Sequence, residues 1–160
     1  MTTPSTRPPI RLLAFLVVAA SAAACSDLGP QDELLQNVRN ARAQWNATRL
    51  DPYTYGLYRI CDCTAEMAGP VTVLVQGIDA VGWTYQDGSA VPVSLRSSFP
   101  SVDGLLDLIE DAIRAGAWDV TVQYDAATGV PIQLRIDYDQ FDFEDEVSYR
   151  VVAMPRAPGT

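Results

Sequence analysis

Apolar residues recur along this chain in several distinct rhythms, and each rhythm predicts a different kind of element. From Leu12 to about Ala20 they run almost without interruption. From Leu34 through Val38 and Ala41 to Trp45 they return at alternating spacings of four and three. That spacing is one face of an amphipathic helix of about 16 residues opening at Pro30, a residue suited to a first helical position. Asp51-Pro52 predicts the helix end. From Tyr53 the period falls to two: Tyr53, Tyr55, Leu57 and Cys61 share one face of an extended segment ending at Cys61-Asp62-Cys63. Past a turn at Gly69-Pro70, Val71, Val73 and Val75 predict a strand. Gly77-Ile78-Asp79 reads as a hairpin connection into Val81, Trp83 and Tyr85, stopping at Asp87-Gly88. A further short strand is expected around Ala90 to Leu95, confined to a sheet edge by Pro92.

The helical period then returns. Ser101 is placed as an N-cap, and Asp103 in the first turn complements the helix dipole. Leu105, Leu106, Ile109, Ala112 and Ile113 form the buried stripe, and Gly116 is the stop. Asp103, Asp107 and Asp111 fall on the opposite face and read as solvated. Strands follow at 120–124, at Ile132, Leu134 and Ile136, and at Val147, Tyr149 and Val151, with a turn from Asp125 to Gly129. Strands joined by tight turns are antiparallel. The expected fold class is therefore α+β: an antiparallel sheet of about five to six strands with two helices packed on one face, in the order helix, strands, helix, strands. Val71-Thr72-Val73 and Val120-Thr121-Val122 occupy similar places in the two halves, a parallel in pattern only, since the letters match too little to assert a duplicated helix-plus-meander unit.

The uninterrupted apolar run changes the picture of where this chain resides. Arg7 and Arg11 precede it, and Ser21, Ala22, Ala23, Ala24 and Cys25 follow it. This is the layout of a secretory signal, with an apolar part about half the ~20 residues a spanning helix requires. Ala22-Ala23-Ala24 satisfies the small-x-small cleavage rule, and with Cys25 it resembles a lipobox in which Ala22 stands where Leu is usual. Residues 1–24 are expected to be a lipoprotein signal peptide, Cys25 the lipidated residue and 25–29 a short tether. Residues 30–154 are expected to form a single α+β domain and 155–160 a flexible tail. Two or three acyl chains, at about 0.8 kcal/mol per buried CH₂, hold a protein on a membrane where one does not. The plainer alternative is a secreted protein with a spare thiol at its new N-terminus.

Composition then removes whole classes of chemistry. Among 160 residues there are 11 basic and 20 acidic side chains, a net charge of −9, and no His; every basic residue is Arg. Without His there is no imidazole base or ligand, and without Lys no Schiff-base or phosphate-loop lysine. The negative charge opposes nucleic-acid binding. Loss of residues 1–24 takes two arginines and no acid, giving −11, so the domain stands off an anionic membrane surface.

Two features carry candidate chemistry. With Cys25 lipidated, Cys61 and Cys63 remain as an even pair in an oxidising setting, and a disulfide between them is expected. In a regular strand their Cβ atoms would lie ~6.5–7 Å apart, against about 3.8 Å in a disulfide, so the bond requires the chain to bend. Such a short loop contributes only about 1.5 kcal/mol. A structural disulfide and a redox-active pair both stay open, although Asp62 opposes a thiolate and Arg59 is the one nearby cation. The second feature is the acidic run Asp137, Asp139, Asp142, Glu144, Asp145 and Glu146. Its Asp137, Asp139, Asp142 and Asp145 are candidate Ca²⁺ ligands, without EF-hand spacing; a solvated edge and loop that discourage aggregation is the plainer reading. No catalytic residue, cofactor or closed zinc site is expected.

Taken jointly, the lipobox, the helix ending near Trp45, Tyr53-x-Tyr55 leading to Cys61-x-Cys63, and Gly69-Pro70-Val71 form a pattern. Val102-Asp103-Gly104-Leu105, Tyr124-Asp125, Gly129-Val130-Pro131, Ile136-Asp137-Tyr138 and Asp145-Glu146 complete it. The pattern resembles a family of small bacterial lipoproteins known only as a domain of unknown function. The resemblance implies export, anchoring and a compact α+β domain, and it transfers no catalytic residue. The expectation is a non-enzymatic bacterial cell-envelope protein, anchored to the cell membrane or outer membrane through lipid on Cys25, whose domain binds another envelope protein or supports an assembly. Two alternatives accompany it: a thiol-redox protein using Cys61 and Cys63, and a Ca²⁺-binding module at 137–146.

Overall fold

A computed structural model describes residues 29–142 and 145–160. The expected signal segment, Cys25 and Glu144 lie outside the described residues. Helix α1 (Pro30–Thr48) opens with Pro at its first turn and buries Val38, Ala41 and Trp45, the stripe its spacing predicts. It ends where the Arg49 N–H caps the Trp45 carbonyl, two residues before Asp51-Pro52. Strand β1 (Tyr53–Ile60), helix α2 (Ala65–Ala68), and strands β2 (Val71–Gln76) and β3 (Asp79–Tyr85) follow. A 3-10 segment (Val93–Ser98) leads to helix α3 (Val102–Ala115) and strands β4 (Asp119–Tyr124), β5 (Pro131–Asp137) and β6 (Val147–Arg156).

The six strands form one sheet in the order β3-β2-β1-β6-β5-β4, every neighbouring pair antiparallel. The fold is thus α+β, and the sheet is two three-stranded meanders joined along β1 and β6. Tyr53, Tyr55 and Leu57 of β1, the three valines of β2, Leu134 and Ile136 of β5 and Tyr149 of β6 share one core with the stripes of α1 and α3. The Ser101 hydroxyl accepts from the Gly104 N–H at 3.1 Å, and Gly116 closes α3 in the left-handed region, so both ends of that helix follow their local chemistry.

Five expectations are corrected. The helix-strand order gains α2, formed between Cys63 and Gly69 where the sequence suggested only a turn. The strand expected at Ala90 to Leu95 shrinks to one bridge, Thr84 with Ala90; the Val91 N–H still reaches Trp83 O, but Pro92 has no N–H to continue the ladder and the chain coils into the 3-10 segment. Val81 does not share the face of Trp83, because a bulge between Leu74 and Val75 pairs Val75 with Ala80 and leaves Val81 exposed. Asp103 is buried, not solvated. Strand β6 runs two residues past Met154, into the expected tail, because Arg156 pairs with Thr54.

Candidate functional site

The cysteine pair lies just beyond the end of β1. The strand stops at Ile60, residues 61–63 bend, and Cys61 and Cys63 are joined as a disulfide with Cα atoms 5.2 Å apart. The bend the bond requires is supplied by the strand's end, so Cys61 leaves the face it was expected to share with Leu57 and is exposed. The disulfide lines an open depression of about 620 Å³ whose other walls include Arg59, Met67 and Glu146.

The acidic run is drawn partly onto one cation. Arg135 of β5 pairs with Glu146, with Asp137 at 3.5 Å and with Asp119 at 3.6 Å. Hydrogen bonding to Arg135 lowers the Glu146 pKa. Desolvation, then the Asp145 and Glu146 charges, raise that of Asp137. Asp137 and Asp145 each have one buried carboxylate oxygen that accepts no hydrogen bond. Asp139 turns its own loop instead, accepting from the Phe141 N–H at 3.0 Å. Among the described residues no three acidic or cysteine side chains are grouped so as to hold a metal ion.

Tyr53, Tyr55 and Tyr149 are packing residues, whereas Tyr138 is exposed. Tyr53 and Tyr55 are buried, Tyr53 meets Trp45 edge-on at 5.1 Å, and burial raises the pKa of both phenols. Tyr53 Oη accepts from the Val102 N–H at 3.2 Å, and Tyr55 donates to the Pro100 carbonyl, so β1 positions the start of α3.

A concavity not implied by any motif runs between α1 and β4. The Leu34–Asn37–Asn40–Gln44 side of α1 forms one wall, and Val120, Val122 and Tyr124 form the other. Ile109 and Ile113 of α3 supply an apolar floor, and the cavity is about 250 Å³. A second cavity of about 310 Å³, sharing Leu34, Ile113 and Val120, prolongs it toward the start of α1. At the other end the Gln44 amide donates to the Ala126 carbonyl. There Asp125 accepts from the Thr128 N–H at 2.8 Å and its hydroxyl at 2.7 Å, interactions that lower the Asp125 pKa. Burial pushes the Tyr124 pKa up to about 12, so its phenol remains protonated across the physiological range. The signal for this groove was present at Asn37, Asn40 and Gln44, a row of amides beside the apolar stripe. Nothing local identified the strand that would face them.

No helix among the described residues is long and apolar enough to cross a membrane. No curated protein and no solved structure matches the chain. The helix-and-meander domain assembled above is nonetheless matched over residues 37–155 by a family of unknown function, DUF6174, and the chain belongs to that family.

Proposed function

We propose that this protein is exported, cut before Cys25, held on a bacterial envelope membrane by lipid on that residue, and used as a non-catalytic module that binds another envelope protein. The N-terminal layout from Arg7 to Cys25 supports the export and anchoring part. The observation that carries the binding part is the α1–β4 groove, an apolar trough rimmed by amides on the surface of a strongly acidic chain. Mass spectrometry of the protein alkylated directly in cells tests the anchor: a lipid mass on Cys25 is expected, and a non-lipidated N-terminus, or retention of residues 1–24, rejects it. Photo-crosslinking from surface positions in intact cells tests the module, and absence of any captured protein rejects that part.

A second reading, thiol exchange at Cys61 and Cys63, is favoured by one observation: an exposed Cys61 and a half-buried Cys63 line a depression beside Arg59. In-cell alkylation separates the two. A wholly oxidised pair supports the structural role, and a partly alkylated pair brings exchange to the front.

A further inference from the structure

The two edges of the sheet are finished differently. At β3 the chain covers the last three residues of its own edge: the Tyr85 N–H donates to Ser89 O at 2.9 Å, Val91 N–H to Trp83 O at 3.1 Å, and Ala90 bridges Thr84. At β4 only β5 is paired, and no strand lies on the outer side among the described residues. Natural edges are usually blunted with Lys, Pro or a cover; Asp119-Val-Thr-Val-Gln-Tyr124 carries one charge, at its first residue, and no proline. An edge of this kind presents a row of backbone donors and acceptors whose natural complement is another extended chain.

The groove supplies the rest of such a site. Its apolar floor lies beneath alternate positions of β4, the spacing at which an added strand would point every second side chain inward. On its far wall Asn37, Asn40 and Gln44 follow one another at helical spacing. A carboxamide both donates and accepts. The Asn40 oxygen accepts from Gln36 at 2.9 Å and the Gln44 amide donates to Ala126. Asn37, the Asn40 NH₂ and the Gln44 oxygen are therefore left to meet the backbone of an extended chain on the side that β4 does not pair. Charge specifies the occupant further. The middle of the groove's lining has no formal charge, and an aspartate stands at each end: Asp119, 3.6 Å from Arg135, at one and Asp125 at the other. A second copy of a chain with net charge −9 is repelled, and a segment with Arg or Lys at its flanks is attracted.

We infer that the α1–β4 groove binds an extended segment of a partner protein, apolar at its centre and basic at its flanks, which adds to the outer edge of β4 as a seventh strand. This rests on the partner-binding reading and names its site and ligand class.

The test uses the whole mature chain and a displayed library of random linear peptides as the probe. Enrichment of sequences with an apolar centre between Arg or Lys residues is expected, and an unenriched pool overturns the proposal. Hydrogen exchange with an enriched peptide is expected to slow at amides of β4 and leave β3 unchanged; unaltered β4 exchange overturns strand addition even where the peptide binds. The exposed double change Asn37→Ala and Asn40→Ala, which removes both amides without adding charge, is expected to weaken binding at least tenfold without lowering the melting temperature, and unweakened binding counts against the amide row. A free fatty acid or a second copy of the chain that occupies the groove in preference to the peptide also overturns it. A partner captured in cells through probes on other surfaces, with β4 exchange unaltered, removes this inference and leaves the binding-module reading standing. Absence of capture from every surface removes that reading as well.

Discussion

The indole N–H of Trp45 donates to the Asp103 carboxylate at 3.1 Å, joining the middle of the α1–β1 packing to the first turn of α3. Asp103 also receives Arg49 at 3.5 Å and is 7% exposed. One carboxylate therefore serves a helix N-terminus, a buried indole and a cation. Asp103→Ala leaves the indole unpaired and is expected to cost about 2–3 kcal/mol in chemical denaturation. Asp103→Asn keeps an acceptor and should cost less, and the exposed Asp111→Ala should cost close to nothing. Equal losses for Asp103→Ala and Asp111→Ala would show that the buried pairing contributes nothing.

Gly129 is where the β4–β5 turn touches α1. It lies at φ +74°, and a Cβ there would fall 2.1 Å from the Ala41 carbonyl oxygen. Gly129→Ala combines an unfavourable backbone region with a clash against helix backbone, and a loss of about 3 kcal/mol or more is expected. Gly88 has φ +85° with nothing near its Cβ position, so Gly88→Ala should cost only about 1 kcal/mol. Urea titration of the two variants checks the difference, and equal losses would mean that α1 moves away from the turn without penalty.

The Arg135 cluster predicts opposite pH effects for two neighbouring carboxylates. The Asp137 pKa is raised, so its ionisation opposes folding, and stability is lost as pH rises through that pKa. Asp137→Asn should raise the melting temperature at neutral pH and give no gain below the ordinary carboxylate range. The Glu146 pKa is lowered by Arg135, so its contribution is present above the unfolded pKa and is lost as pH falls through the folded one. Glu146→Gln should lower the melting temperature slightly at neutral pH and converge with the wild type in acid. Thermal scans from acid to neutral pH that move both variants in the same direction would refute this assignment.

Cys61 and Cys63 close a loop of three residues and tie no distant elements together. Changing both to Ser should cost no more than about 1.5 kcal/mol by the chain-entropy estimate, with the secondary structure retained. Denaturation of the double variant beside the oxidised wild type measures this directly. A loss several times larger would mean that the disulfide holds the end of β1 and the start of α2 in place.

Much of the local structure was legible because it depends on neighbours within a few residues. The spacing of Leu34, Val38, Ala41 and Trp45, the Ser101 cap and the Gly116 stop act over one or two helical turns, and all are found where they were expected. The alternation of Val71, Val73 and Val75 reports a buried face whichever strands lie on either side. The misses share a different cause. Val81 is turned outward by a bulge against Leu74 and Val75, and the strand expected after Ala90 stops at a proline beside an edge already closed. Asp103 had the spacing of a solvated face but is covered by Trp45 and Arg49, more than 50 residues away in the chain.

The sequence by itself determined the kinds of element, their caps and their turns, together with a net charge and residue inventory that exclude imidazole and lysine chemistry. Only the tertiary structure decided that β1 pairs with β6, and so that β4 is left at the outer edge with α1 beside it. Helix periodicity, caps and turns are set by contacts a few residues apart. Which strand becomes an edge depends on pairings between residues about a hundred positions apart, such as Tyr58 with Arg150, and no local pattern encodes the choice of partner.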